Sequence, residues 1–190
     1  EKKKRRGEEN LTPRGTPQKK SKTVNQNEWH PANWECVKEI GEGGYGTVKI
    51  VKNIESKEEM IQKKMILDRN DDIGETEYAL IQELCKTRNC KNYIVPFTGN
   101  YKIQCTDVNR ECKKEFYFYS EVHENAVSLD KKLESKEWKA SVKTIFYNIA
   151  KSVKFLHDNG VAHGDLKLPN VLLIDPSTND IRLIDFGLSV

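Results

Sequence analysis

The sequence predicts an α+β fold, with five strands and one helix leading into a mainly helical part. Three observations predict it. Segments in the first half alternate apolar and polar residues with the two-residue period of a half-buried strand. Two other segments, around 74–86 and 139–157, place apolar residues three and four apart, as one face of a helix requires. The chain has 190 residues, enough for one domain and too few for two of ordinary size.

Residues 1–28 hold one Leu, one Val and no aromatic residue. Such a segment cannot bury enough apolar surface to offset its ordering entropy, so a disordered basic tail is expected there, with the folded body at 29–190. Within residues 1–22, nine Lys and Arg face three Glu, a balance of +6. The whole chain carries +3, so residues 23–190 sum to −3 and give no reason to expect nucleic-acid binding. The KKKRR run at 2–6 reads either as a nuclear-import signal or as a solvated tail. Thr12-Pro13 and Thr16-Pro17 also lie in this segment, and the second, followed by Lys19, resembles a site for proline-directed kinases.

In the body, 34–40 (WECVKEI) and 47–54 (TVKIVKNI) alternate as strands around a Gly-rich turn, and 59–66 (EMIQKKMI) reads as a third. A helix is expected around 74–86, where Glu77, Leu80, Ile81 and Leu84 share a face. Strands near 93–104 and 115–122 flank a polar hairpin containing Cys105 and Cys112. The helix over 139–157 carries Val142, Ile145, Phe146, Ile149, Val153 and Leu156 on one side and stops at Asn159-Gly160. Short strand-like runs follow at 171–174 and 181–184. No apolar run exceeds four residues, which excludes a membrane-spanning helix. Five cysteines at irregular spacings fit a reduced intracellular chain, nuclear or cytoplasmic, better than a disulfide framework or a zinc site.

Chemistry enters with Gly41-Glu42-Gly43-Gly44-Tyr45-Gly46, which β-branched residues follow. The order is strand, glycines, strand, so the glycines tip a hairpin whose backbone N–H groups can cover phosphates, rather than opening a dinucleotide-binding helix. On the next strand, alternation puts Lys63 on the side of Ile61 and Met65, which favours it over Lys64 as the inward cation. An inward ammonium needs a carboxylate, and Glu77 is the best candidate, with Glu75 as its rival. Residues 156–173 read LHDNGVAHGDLKLPNVLL and 183–187 read LIDFG.

With these in order from about Glu39 to Gly187, the chain resembles the eukaryotic protein kinase family, through its H-R-D-L-K-x-x-N catalytic loop and D-F-G turn. The resemblance implies a protein-kinase-like α+β fold: a five-stranded antiparallel small lobe with one helix, then the beginning of a mainly helical large lobe. It implies an ATP- and Mg²⁺-dependent enzyme acting on protein hydroxyls, of the serine/threonine branch because Lys167 follows Asp165-Leu166. Asp165 would take or orient the proton of the attacking hydroxyl, and Lys167 would meet the transferring phosphate. Asn170 and Asp185 would ligate Mg²⁺. Lys63, paired with Glu77, would hold the α- and β-phosphates beneath Gly41, Gly43, Gly44 and Gly46. Ile40 and Val48 would cover the adenine, the Glu121 and His123 backbone would hydrogen-bond it, and Ser120 would stand at the back of that pocket. His163 would pack beneath the D-F-G turn.

Two departures qualify the match. Gly164 stands where most relatives carry an Arg that grips a phosphorylated activation loop, so independence from such a phosphate is expected. The chain ends at Val190, three residues after D-F-G, and begins without methionine, so a partial sequence of a longer kinase is expected. The alternative is a kinase-like module that binds ATP or a partner without catalysis.

Overall fold

A computed structural model describes residues 26–43, 46–104, 113–134 and 142–190. Residues 1–25 of the predicted tail, the tip residues Gly44 and Tyr45, and the hairpin with Cys105 and Cys112 lie outside the described residues; a 3-10 turn, Gln26–Trp29, takes in the last three residues of the predicted tail.

The alternating segments form β1 (Trp34–Gly43), β2 (Gly46–Asn53) and β3 (Glu59–Asp68), followed by helix α1 (Ile73–Leu84), β4 (Gly99–Gln104) and β5 (Lys113–Glu121). The strands make one antiparallel sheet in the order β1-β2-β3-β5-β4. Period-two alternation divides its side chains between two faces. Met65, Leu67, Phe116 and Phe118 pack toward α1 with Ile73, Tyr78 and Phe97. Val51, Met60, Tyr117 and Tyr119 pack on the opposite face with Trp34.

Aromatic residues before β1 cover that second face. Trp29 stacks on Trp34 at 5.8 Å and meets Tyr119 at 5.1 Å, while His30 meets Tyr101 edge-on at 4.7 Å. Tyr119 is fully buried, and its hydroxyl accepts a 3.0 Å bond from the Gln62 amide. The Trp29 ring lies where a Cβ on Gly99 would be, 2.0 Å from the nearest ring atom, so only glycine lets the ring lie down on β4.

The expected strand over 93–104 is shorter than predicted, because Pro96 lacks a backbone donor and the preceding residues pair elsewhere. Leu183 N–H donates to the Tyr93 carbonyl (2.9 Å) and Val95 N–H donates to the Leu183 carbonyl (3.2 Å). Residues 93–95 thus join a second sheet, β6 (Val127–Ser128), β7 (Val171–Asp175) and β8 (Asp180–Leu183), in the order β6-β7-β8. Helices α2 (Leu129–Glu134) and α3 (Val142–Asp158) complete the described part of the large lobe. Sequence reasoning missed β6 and α2, which are too short to show a period. Ile145, Phe155 and Leu156 of α3 join Ile81, Leu84, Ile94, Leu173, Leu183 and Phe186 in the largest core. Phe146 and Tyr147, by contrast, are 62% and 65% exposed.

Replacing Gly99 with Val is expected to lift Trp29 off the sheet and cost about 1–3 kcal/mol, the usual penalty for overpacking. Denaturant unfolding and a red-shifted tryptophan emission would report it; unchanged values would count against this packing.

Candidate active site

The inward lysine is Lys63, as the alternation predicts. Its Nζ lies 2.8 and 2.9 Å from the two oxygens of Glu77 and 2.9 Å from Asp185 Oδ1. The rival Glu75 lies elsewhere on α1, against Lys102 and Lys114. The Glu77 side chain has no exposed surface, so it needs its cation: leaving such a carboxylate unpaired costs about 3–5 kcal/mol. Burial by itself would lower the Lys63 pKa, but Glu77 and Asp185 outweigh it and hold the ammonium above its ordinary value. Glu77 has a further task that sequence reasoning did not find. Its Oε1 accepts the Phe186 backbone N–H at 3.2 Å, which fastens the D-F-G turn to α1.

Asp185 has φ +67°, a left-handed conformation that Asp tolerates better than most residues and that recurs where a side chain must be aimed. Phe186 is buried against His163, ring to ring at 4.9 Å. His163 plays the structural part expected of it. Its Nδ1 accepts the Asp165 N–H at 3.3 Å, which leaves Nε2–H to donate to the Ile184 carbonyl at 3.1 Å. Burial lowers its pKa and keeps it neutral, against the opposing pull of that carbonyl and of nearby carboxylates.

The catalytic-loop residues converge. Asn170 Nδ2 donates to both the carbonyl and Oδ2 of Asp165, each at 2.9 Å, and Lys167 Nζ lies 2.6 Å from the same Oδ2. Lys167 holds the Asp165 carboxyl below the usual carboxylate range, and Asn170 adds to the effect, so Asp165 is ionised at neutral pH. The Ile184 N–H donates to the Asn170 carbonyl at 3.0 Å and ties this loop to the D-F-G segment.

The residues expected at the nucleotide lie on β1, β2, β5 and the turn after β5. Gly41 pairs with Val48, which pairs with Lys63, and Gly43 pairs with Gly46 beside the tip. Ile40 falls at a break in the β1–β2 register and is 39% exposed. Ser120 is buried at the end of β5. Glu121 turns its side chain to Lys91 at 3.0 Å, and the His123 carbonyl accepts the Ala126 N–H in the turn that follows.

The donor set suits Mg²⁺. Among the described residues no cluster of three or more His, Cys, Asp or Glu stands together as a metal cage. Two oxygen donors are on hand instead: with its amide nitrogen committed to Asp165, Asn170 has its amide oxygen to offer, and Asp185 has the oxygen that Lys63 does not take. Mg²⁺ is commonly held by one or two protein oxygens, with phosphates and water supplying the rest.

Gly164 has a physical explanation. It sits at φ +77°, and a Cβ there would lie 2.0 Å from the Leu188 carbonyl oxygen. The segment after D-F-G lies directly on the catalytic loop: Ala162 and Val190 exchange backbone bonds of 2.8 and 3.0 Å, and Ser189 Oγ donates to the His163 carbonyl. An Arg at 164 would displace that segment.

Comparison with known proteins agrees with this geometry. The protein kinase domain family matches residues 34–190, and the chain belongs to that family. It is 27% identical over 156 residues to the serine/threonine-protein kinase ICK of Rattus norvegicus, covering 82% of this chain and 23% of the relative. It is 30% identical over 171 residues to the mitogen-activated protein kinase spm1 of Schizosaccharomyces pombe, covering 88% and 39%. The calcium/calmodulin-dependent protein kinase type I of the same yeast is 25% identical over 172 residues, covering 88% and 48%. The chain therefore spans less than half the length of these relatives.

The neutral His163 makes folding pH-dependent. In the unfolded chain the imidazole takes a proton near its ordinary pKa of 6.5, whereas the folded site resists it. The contribution is thus complete above that pH and is lost progressively as pH falls below it. Urea midpoints at about pH 7.5 and about pH 5 should differ less for His163→Gln than for the parent chain. An equal difference would show that His163 is not the group responsible.

Proposed function

We propose that this chain carries the nucleotide-handling part of a serine/threonine protein kinase, which transfers the γ-phosphoryl group of ATP to a protein hydroxyl. The observation that carries this reading is the single ammonium of Lys63 bridging Glu77 and Asp185, in a fold where Asp165, Lys167 and Asn170 also meet.

Phosphoryl transfer has a loose transition state, so the protein acts mainly by positioning and charge neutralisation. Lys63, fixed by Glu77, presents its ammonium to the α- and β-phosphates. Gly41, Gly43 and Gly46 keep side chains off the β1–β2 turn, so that backbone can approach phosphate oxygens. Asp165 orients the acceptor hydroxyl and takes its proton as the oxygen attacks the γ-phosphorus and the bond to the β-phosphate oxygen breaks, releasing ADP. Lys167 neutralises charge on the transferring group. Asn170 and Asp185 would hold Mg²⁺, which supplies charge neutralisation at the phosphates. The serine/threonine assignment draws on Lys167 two residues after Asp165 and on the names of the relatives. Gly164 supports an activation segment seated without a phosphate-gripping Arg.

The test is incorporation of labelled phosphate from ATP and Mg²⁺ into a protein acceptor, using the chain in its longest natural form. Asp165→Asn and Asp185→Ala are each expected to lower the rate by about 10²-fold or more. Equal labelling by parent and Asp185→Ala would sink the assignment. ATP binding by the parent without any transfer would favour a kinase-like binding module.

A further inference from the structure

The catalytic position of Glu77 depends on where α1 lies, and the structure holds the first turn of that helix in a way the kinase motifs do not describe. Glu75 Oε1 accepts Lys102 Nζ of β4 at 2.5 Å and Lys114 Nζ of β5 at 3.4 Å. Lys114 Nζ also donates to the Asp71 carbonyl at 2.9 Å, and Asp71 Oδ1 accepts the Ile73 N–H that opens the helix. Lys102 lies 5.4 Å from the centre of the Phe116 ring, the ring on which Gly74 is buried.

We propose, on the footing of the kinase reading above, that Glu75 is a positioning residue: with Lys102 and Lys114 it clamps α1 against the sheet and so keeps Glu77 on Lys63 and Phe186. The clamp occupies the helix end nearest Glu77, and its lysines come from the two strands beside it, so it sets the distance from helix to sheet. Isolated exposed ion pairs contribute little. This one differs in two respects. The Lys114 side chain is only 13% exposed, and one carboxylate serves two ammoniums. Removing the carboxylate would leave two like charges together, one of them largely out of water, and outward movement of the helix relieves both costs. Burial would raise the Glu75 pKa, yet Lys102 and Lys114 hold it below its ordinary value. Tyr78, on the same helix, stacks 6.0 Å from Phe118 and is untouched by loss of the clamp.

Hydrogen exchange tests the clamp without requiring turnover. The Phe186 amide reports directly on Glu77, which accepts it. In Glu75→Gln, exchange of Phe186 and of residues 75–77 is expected to rise by roughly 3- to 10-fold, with amides shared between β2 and β3 unchanged. Lys102→Met is a milder variant at a partly exposed position and should give a smaller rise at the same amides. Unchanged exchange at Phe186 in both variants, or a uniform rise across the whole small-lobe sheet, would overturn the proposal. If the local rise appears while the parent protein transfers no phosphate, the clamp stands and the assigned activity fails.

Discussion

The site depends on one ammonium ion. Lys63 lies between Glu77, which has no exposed surface, and Asp185, whose backbone is in a left-handed turn. Two buried or half-buried carboxylates would repel one another without it, and neither the helix nor the turn could stay where it is. The ion therefore joins three separate stretches of chain: a strand of the sheet, a helix, and the turn that follows β8. The Phe186 N–H on Glu77 adds a direct tie between the last two. Site geometry and local stability thus rest on the same atoms, so substitutions at Lys63, Glu77 or Asp185 would disturb both.

Much of this was legible in the sequence because it follows from periodicity. A strand has a period of two, so Lys63 and Lys64 face opposite sides, and the apolar neighbours of Lys63 marked the inner one. A helix period placed Glu77 on the same stripe as Ile81 and Leu84, all three of which are buried. The grip of Lys63 on Asp185 spans 122 residues and could not come from spacing. Neither could the fate of Tyr93–Val95, whose apolar run reads as strand but whose partner is β8 of the other lobe. Gly164 was visible as a departure from relatives, but its cause is a carbonyl oxygen from a segment twenty-four residues later that only the fold brings near.

The outer face of the sheet makes a similar point about aromatic residues. Trp29, Trp34, Tyr101 and Tyr119 show no common period in the sequence, yet together with His30 they form one aromatic cover of stacked, tilted and edge-on contacts. Trp29 and His30 precede the part of the chain that matches the kinase domain family, which begins at residue 34. The cover is thus built partly from residues outside the shared domain, and Gly99 is the complementary feature within it.

Helix α1 belongs to two cores at once. Its first half, through Ile73 and Tyr78, packs with Phe116 and Phe118 of the sheet, while Ile81 and Leu84 pack with Ile94, Phe155 and Leu183 below. Backbone bonds from Tyr93 and Val95 to Leu183 root the segment after the helix in the lower body. A rod seated at one end in each half of a molecule works as a lever: when the halves part, it must tilt. Glu77 sits between the two seats, so any such tilt would draw its carboxylate along an arc and loosen or tighten the grip on Lys63.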